Sequence, residues 1–227
     1  MDKRFYEPFG WLLYCDVTIR KCARSHSGTT PHPSTPTRAP PTRSCSLTLD
    51  PNTASVELKV SEGDKEAWHY YPRDRKQPLP YHPERFKWYS QVMCREGLSG
   101  RHFCQVEWFG RFATIGVAYK DMSRKGPADA CTPGENKKSW AIKVSTPSPL
   151  SQAVHDGVET RLPDRSPWRV GVYLDWAAGI LSFYDVTRDK AELIHTFYAK
   201  FTGPLYLVFS ITHPGLPEHT GLSGSIY

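Results

Sequence analysis

Short apolar stretches, interrupted at brief intervals by Gly, Pro, Asn or Asp, are the feature that most constrains the fold of this 227-residue chain. The pattern begins near residue 44, and closely spaced short strands of this kind are typical of sandwiches and barrels. Sustained helical periodicity is absent outside one turn at 83–86. The sequence therefore predicts an all-β fold, a two-sheet antiparallel β-sandwich in a single domain.

Individual strands can be placed from alternation and turn residues. The firmest prediction is a hairpin of residues 169–174 and 180–186, in which Gly179 provides the positive φ angle that a tight connection needs. Residues 102–108 alternate apolar and polar side chains, which predicts a strand with one buried face. Further strands are expected at 113–119, 139–144, 193–197 and 205–211, and core side chains at Trp108, Trp140, Tyr173 and Phe183.

The first part of the chain has a different composition. Residues 23–46 are almost entirely Ser, Thr, Pro, Arg and His, and such a segment cannot bury enough apolar area to offset the entropy of ordering. Residues 1–43 are therefore predicted to be a disordered, basic leader and linker. Within it, residues 15–19 repeat the pattern of residues 45–49, a cysteine followed by strand-like alternation. The repeat is either a duplicated strand or a spurious join in the deduced protein, and a transcript lacking the intervening sequence would decide.

Charge and hydropathy exclude several classes of partner. The formal net charge is +6, but Lys and Arg are interspersed with Asp and Glu without a basic stripe, so no nucleic-acid partner is expected. No run approaches the roughly 20 apolar residues that a membrane-spanning helix requires. The sequence thus predicts no membrane span.

The six cysteines form no CxxC pair and lack the dense spacing of a small secreted disulfide scaffold. This pattern favours a reducing compartment, and the cytoplasm is the expected location. Cys94 and Cys104 lie in apolar runs, where a free thiol usually acts as a small buried hydrophobe. The cysteines and nine histidines show no spacing that would place two ligands on one ion, so no metal site and no cofactor are expected.

Catalytic motifs are also missing from the sequence. It contains no GxSxG elbow, P-loop, GxGxxG or HExxH pattern. The chain is therefore expected not to be an enzyme.

Several segments, taken together, resemble the PRY–SPRY (B30.2) domain family. The PRY-like segments are 49–54, 58–62, 82–86 and 91–94, and the SPRY-like segments are 100–108, 116–121, 136–140 and 169–186. Their order and spacing match the family, and the resemblance places PRY at about 44–96 and SPRY at about 97–227. Two departures are visible: Phe103-Cys104 stands where the family usually has Tyr-Trp, and the tail after Phe209 lacks the usual closing pattern.

The resemblance implies a rigid sandwich that grips a partner protein or peptide through variable loops at one edge, without catalysis. The branch most similar to this sequence comprises the C-terminal domains of tripartite-motif ubiquitin ligases and NOD-like receptors, which implies a role in innate immunity or ubiquitin-ligase targeting. No RING, B-box or coiled-coil pattern is present, so these residues are not expected to ligate ubiquitin themselves. The chain is expected to be monomeric.

Seven residues are candidates for partner contact. Trp68, Tyr70 and Arg73 lie in the first expected variable loop, 63–80, where exposed aromatics beside Arg would suit an interface. An alternative is that Trp68 and Tyr70 belong to one more half-buried strand. By resemblance, the binding surface also includes Asp121, Lys143, Ser145 and Leu216, and for each the alternative is a turn-forming or merely solvated side chain.

Two other functions remain open from the sequence. One is a sensor of a small anionic ligand, as in butyrophilin-like B30.2 domains. It would be favoured by clustering of five basic residues, namely Arg101, His102, Lys120, Arg124 and Lys125. The other is a fragment of a secreted pore-forming toxin, which would need a membrane-active portion that is not recognised in this sequence.

Overall fold

The computed structural model describes residues 15–25, 42–69, 80–146, 151–163, 167–187 and 191–212. The predicted leader outside 15–25 and 42–43 lies beyond these residues, as does the tail from residue 213. Almost all regular structure in the described part is β-strand, arranged as two antiparallel sheets. The predicted all-β, two-sheet sandwich is confirmed.

The strands follow one another along the chain with a single short helix among the described residues. They are β1 (Asp16–Ser25), β2 (Thr42–Ser44), β3 (Leu58–Val60), β4 (Glu66–His69), β5 (Gln91–Met93), β6 (Arg101–Phe109), β7 (Phe112–Tyr119), β8 (Ser139–Ser145), β9 (Gln152–His155), β10 (Val158–Arg161), β11 (Arg169–Asp175), β12 (Ile180–Asp185), β13 (Glu192–Tyr198) and β14 (Leu205–Thr212), with helix α1 (Ala128–Cys131) between β7 and β8.

In the first sheet the described strands are ordered β13-β12-β11-β6-β1-β4-β3, and β2 pairs with the far end of β1. The order of the second sheet is β10-β9-β8-β7-β14-β5. Both sheets contribute to one apolar core, in which Val106 and Phe183 of the first sheet and Ile115 and Phe209 of the second are inaccessible to solvent. The core therefore lies between the sheets, as in other sandwiches.

Strand β1 corrects one prediction from sequence. Residues 16–25 were assigned to the disordered leader, but they form a strand that pairs with β6 on one edge and with β4 on the other. The apolar alternation of Val17 and Ile19, both buried, supplies the core-facing side that the rest of the leader lacks. Of the two repeated segments, the first continues as a strand and the second begins just after β2.

A bulge in β1 sets which side chains of its second half face inward. Ile19 pairs with Val106 and Lys21 pairs with Gln105, so Arg20 is an extra residue on the β1 side. Strict alternation from Val17 and Ile19 would turn Lys21 towards the core. Because of the bulge, Cys22 faces inward instead and lies opposite Cys104.

The predicted hairpin of the first sheet is confirmed as β11 and β12. Gly179 has a φ of 70° in the connecting turn. A Cβ at this position would also collide with the carbonyl oxygen of Ala199. Glycine is thus required at this turn both by the backbone conformation and by a close neighbour.

The core predictions hold with one exception in burial and one in bonding. Trp108, Trp140 and Phe183 are buried, but Tyr173 is only half-buried because its side chain is on the outer face of β11. Cys104 is buried as expected, but it is bonded to Cys22 as a disulfide rather than being a free thiol. The sequence could not indicate this pair, because the bulge that aligns the two cysteines has no sequence signature.

Glu107 on β6 connects three neighbouring strands on the outer face of the first sheet. Its carboxylate accepts hydrogen bonds from Arg20 of β1 at 2.5 Å and from Nε of Arg169 of β11 at 2.8 Å. Burial alone raises the pKa of Glu107, but the hydrogen bonds and charges of the two arginines outweigh it and lower the pKa overall. The carboxylate form therefore stabilises the folded chain.

Replacing Glu107 by Gln tests this linkage. A pKa lowered by folding means that the contribution is present above the ordinary carboxyl pKa, near about 4.3, and is lost as the pH falls through the folded-state value. At about pH 7 the variant is expected to have a free energy of unfolding lower by about 1 kcal/mol, after allowing for the exposure of Arg20. Urea unfolding at a series of pH values measures the difference, which should shrink as the pH falls through the folded-state pKa of Glu107.

Glu66→Gln, at an exposed position on β4 of the same sheet, is the matched control and should show little change at any pH. A Glu107→Gln deficit that stays constant from neutral to acidic pH would contradict the linkage.

Candidate functional site

Two loop segments, 80–90 and 120–126, are joined into one surface beside the second sheet. The amide of Lys87 donates to the carbonyl of Arg124 at 3.1 Å, and the indole Nε1 of Trp88 donates to the carbonyl of Gly126 at 2.5 Å. The ammonium group of Lys125 donates to the carbonyl of His82 at 3.2 Å. These bonds fix the position of each loop relative to the other.

Arg124 is the buried centre of this junction. Its guanidinium donates to the carbonyls of Met122 and Lys120, stacks over the ring of Phe86 at 4.7 Å from its centroid, and lies 3.6 Å from a carboxylate oxygen of Glu84. Burial lowers the pKa of Arg124, and the Glu84 carboxylate opposes that effect. Arg124 thus ties the second loop to itself and to the first loop.

Arg85 attaches the first loop to the beginning of the domain. Its guanidinium donates to the carbonyls of Pro51 at 3.2 Å, Ala54 and Pro80. Phe86, the next residue, is buried. The hydrogen bonds of Arg85 and the burial of Phe86 therefore fix the inner side of the loop. The neighbouring side chains lie on its outer side.

The outer side chains of this region alternate between aromatic and cationic. Tyr81 is 82% exposed, with the Lys125 ammonium 3.9 Å from its ring centroid, and Trp88 is partly exposed, with the Lys87 ammonium at 4.4 Å. Val56 is also exposed. The term aromatic–basic surface is used here for Val56, Tyr81, His82, Lys87, Trp88 and Lys125.

A shallow cavity of about 430 Å³ opens on this surface. It is lined by Val56, Pro80, Tyr81, His82, Arg85, Phe86, Lys87 and Lys125. Among the described residues, this lining includes Arg85, Lys87 and Lys125 but no carboxylate. Its chemistry suits a group that is negatively charged or that stacks on an aromatic ring.

Asp121 is the predicted site residue that lies beside this surface. It is exposed in the same loop as Lys125, and its carboxylate forms a 2.7 Å ion pair with Lys138. The side chain is accessible, as the prediction requires. Partner contact by Asp121 remains a prediction.

Lys143 and Ser145 lie on β8, and neither presents a free polar group on the surface. The ammonium of Lys143 is paired with the carboxylates of Glu135 and Glu159. Burial alone lowers the pKa of Lys143, but the hydrogen bonds and charges of these two carboxylates outweigh it and raise the pKa. Ser145 is 2% exposed, so the expected contact through its hydroxyl would require β8 to move.

Trp68 lies on β4 and not in the loop predicted to start at Gly63. It belongs to a cross-strand row on the outer face of the first sheet that comprises Lys59, Trp68, Asp16 and Phe109. Trp68 is half-buried there, as the alternative of a half-buried strand anticipated. The predicted contacts Tyr70, Arg73 and Leu216 lie outside the described residues.

The five basic residues proposed for an anionic-ligand site are divided between the two sheets. Arg101 and His102 are on β6, where Arg101 forms a 2.8 Å ion pair with the buried Asp175. Lys120, Arg124 and Lys125 follow β7 in the second sheet, and Arg124 is buried. The structure thus places two of the five basic residues on the first sheet and three beside the second.

Two features were missed from sequence. The aromatic–basic surface has a visible signal in the sequence, because Tyr81 and the pair Lys87-Trp88 flank the PRY-like segment 82–86. The other feature is a group of potential metal ligands, Cys22, Cys45 and His102, whose donor atoms lie within 4.8 Å of one another. Their wide separation in sequence gave no recognisable spacing.

The chain matches two family models. The model described as "PRY: SPRY-associated domain" matches residues 47–98, and the SPRY domain model matches residues 101–218, which is more than half of the chain. The chain belongs to the PRY–SPRY family. The resemblance stated from sequence motifs is therefore confirmed.

Relatives of this PRY–SPRY chain come from two kinds of protein. Stonustoxin subunit beta of Synanceia horrida is 43% identical over 169 residues, which are 74% of this chain and 23% of the toxin subunit. Tripartite motif-containing protein 14 of Mus musculus is 35% identical over an alignment of 226 residues that covers 90% of this chain and 49% of the relative. The chain thus spans about a quarter to a half of the length of these two relatives.

Among solved structures, the crystal structure of the TRIM65 PSpry domain is similar at a TM-score of 0.62 and 31% identity, covering 74% of this chain and 89% of that one. The PRY–SPRY assignment and the tripartite-motif relatives support a protein-interaction module. None of the helices within the described residues has the length and apolar character to cross a membrane.

The central place of Arg124 predicts the effect of removing its charge. Arg124→Met keeps most of the side-chain volume but leaves the carbonyls of Lys120 and Met122 without their donor. We expect a loss of about 1 to 3 kcal/mol in the free energy of unfolding, and faster amide exchange in segments 80–90 and 120–126. Urea unfolding and hydrogen exchange with mass spectrometry measure the two effects.

Lys120→Met, in the same loop but exposed, is the control and should alter neither measurement appreciably. If the amides of these two segments exchange at the same rate in Arg124→Met as in the parent chain, other contacts hold the loops.

Proposed function

We propose that this chain is a non-catalytic recognition module that binds a partner protein through the aromatic–basic surface. The observation that carries the proposal is the pairing of exposed rings with cations on two mutually bonded loops, Tyr81 with Lys125 and Trp88 with Lys87. The family assignment supports protein binding as the general function.

The arrangement suits binding because the side chains are held in place before a partner arrives. Aromatic side chains bury a large area at a small cost in conformational entropy, and interface hot spots are enriched in Trp, Tyr and Arg. The backbone bonds from Arg124 and Arg85 keep the loops ordered. Docking therefore costs less ordering entropy than it would on mobile loops.

The chemistry of the surface points to the kind of partner segment that fits. The described residues that line the cavity carry positive side chains and no carboxylate, so a segment bearing Asp or Glu is complementary in charge. The exposed rings and Val56 supply apolar contact to a neighbouring aromatic or aliphatic side chain. An acidic segment with one apolar anchor is the partner we propose, with Asp121 and Lys138 at the edge of the contact.

The cellular setting is proposed from the tripartite-motif relatives. By that comparison, the chain acts in the cytoplasm, as a monomer, in innate immunity or in directing a ubiquitin ligase to its target. The toxin relatives favour a secreted setting instead, where the same surface would bind another subunit or a target-cell protein. Tyr70, Arg73 and Leu216 remain proposed contacts, and Trp68 would belong to a second surface on the other sheet.

A small anionic ligand is the second candidate. It is favoured by the cavity beside Tyr81, where three basic side chains converge. The group of five basic residues predicted from the sequence does not favour this candidate, because the charge of one member, Arg101, is paired with Asp175.

Affinity capture with a matched pair of double variants tests the proposal. One variant carries Tyr81→Ala and Lys125→Ala, and the control carries Tyr198→Ala and Lys200→Ala, a second exposed tyrosine and lysine at the end of β13 and just beyond it. A partner protein retained by the parent chain is expected to bind the first variant at least about tenfold more weakly and the control equally well. Its affinity for the parent should fall as salt is raised, because exposed charges are screened.

Circular dichroism and thermal unfolding establish that both variants are folded. The assignment to this surface would be overturned if both double variants lost the partner equally, or if neither variant lost it. Calorimetry with inorganic pyrophosphate tests the small-ligand candidate. That function is favoured if the parent chain binds pyrophosphate, the Tyr81→Ala and Lys125→Ala variant does not, and no protein partner is captured.

A further inference from the structure

Four potential metal ligands from three separate segments meet at one end of the first sheet. Cys22 of β1 lies directly across from Cys104 of β6, because of the bulge at Arg20. Cys45 follows β2, and its amide donates to the carbonyl of Cys22 at 3.1 Å. His102 is two residues before Cys104 on β6, so its side chain is on the same face of the strand.

The donor atoms of Cys22, Cys45 and His102 lie within 4.8 Å of one another, and one ion can span that distance. The Sγ of Cys45 lies 2.7 Å from the Sγ of Cys22 and 3.9 Å from Nδ1 of His102, and Cys104 is bonded to Cys22. In a tetrahedral zinc site, ligand atoms are about 3.8 Å apart for two sulfurs and about 3.6 Å for sulfur and nitrogen. Once the disulfide is reduced, the Cys22 and Cys45 sulfurs, now 2.7 Å apart, must separate by about 1 Å to reach tetrahedral spacing.

His102 has its ring nitrogens arranged as a metal ligand requires. Nε2 lies 3.2 Å from the carbonyl oxygen of Ser99, which can only accept a hydrogen bond, so Nε2 carries the proton. The lone pair of Nδ1 therefore faces Cys45. Metal-bound histidines commonly donate their second ring N–H to a carbonyl in this way, which fixes the tautomer and the ring orientation.

The partial exposure of Cys45 gives an ion a route into the cluster. Burial raises the pKa of Cys45 overall, and the positive charges of Arg24 and Lys65 offset only part of that rise. Cys22 and Cys104 are 4% and 1% exposed, whereas Cys45 is only partly buried. An ion can thus enter past Cys45 and reach the two buried sulfurs.

We propose that Cys22, Cys45, Cys104 and His102 bind one divalent ion of the zinc class when the chain is reduced. Reduction of the Cys22–Cys104 disulfide consumes two molecules of a small thiol and yields two cysteine thiols and the disulfide of that thiol. The ion then displaces one proton from each of three cysteines to solvent and accepts the Nδ1 lone pair. Such an ion joins β1, the segment after β2 and β6, and so anchors the start of the domain to its central strand.

Cobalt(II) titration of the reduced full-length chain under nitrogen tests the proposal. After treatment with a phosphine reductant and its removal, all six cysteines should react as thiols in unfolded samples. We expect one cobalt per chain, with a sulfur-to-cobalt charge-transfer band and the intense visible bands of tetrahedral coordination. Added zinc should remove these bands.

Cys45→Ser is the main variant, because its partly exposed position tolerates a small polar replacement, and it should weaken cobalt binding at least about tenfold. Cys131→Ser replaces a buried thiol in α1, away from the cluster, and is the control expected to bind like the parent. His102→Gln, checked for folding by circular dichroism, should shift the visible bands.

Three results would each overturn the proposal. They are the absence of a charge-transfer band in the reduced parent chain, equal cobalt affinities for Cys45→Ser and Cys131→Ser, and fewer than six thiols after reduction because the disulfide persists.

Discussion

The pairing of β6 along both of its edges is the interaction on which the first sheet depends. Residues of β6 bond to β11 on one side and to β1 on the other. The inner face of β6 supplies Cys104, Val106 and Trp108 to the core, and its outer face supplies Glu107, which the arginines of both neighbours contact. Among the described strands, β1 is the one that joins β4 to β6, so the segment before the PRY match is part of the sandwich and of its first sheet.

The second sheet and the segments beside it have a different role, which is to hold two loops in a fixed arrangement. Cores of sandwiches are close-packed and rigid, and binding residues are commonly found on loops that such a scaffold positions. Here the buried Arg124 and the partly buried Arg85 do the positioning, because their donors bond to backbone carbonyls in and beside the loops. The outward-facing rings and lysines are thereby left to meet a partner, so the same interactions that order the loops also define the proposed binding surface.

Local patterns in the sequence predicted the elements whose formation depends on local chemistry. The β11–β12 hairpin follows from alternation and Gly179, and the buried face of β6 follows from its period of two residues. Features that depend on long-range pairing could not be predicted in this way. The place of β1 depends on strands far along the chain, the inward turn of Cys22 depends on a one-residue bulge, and the burial of Ser145 depends on how β8 packs. The pairing of Tyr81 with Lys125 likewise joins residues from separate segments.

The most direct test of the proposed function is a hydrogen-exchange footprint of the chain bound to a purified partner protein. Amides in segments 80–90 and 120–126 should exchange more slowly in the complex, while those of β10 and β13, at the far edges of the two sheets, should be unchanged. A footprint confined to β10 or β13, with the two loop segments exchanging as in the unbound chain, would contradict binding through the aromatic–basic surface.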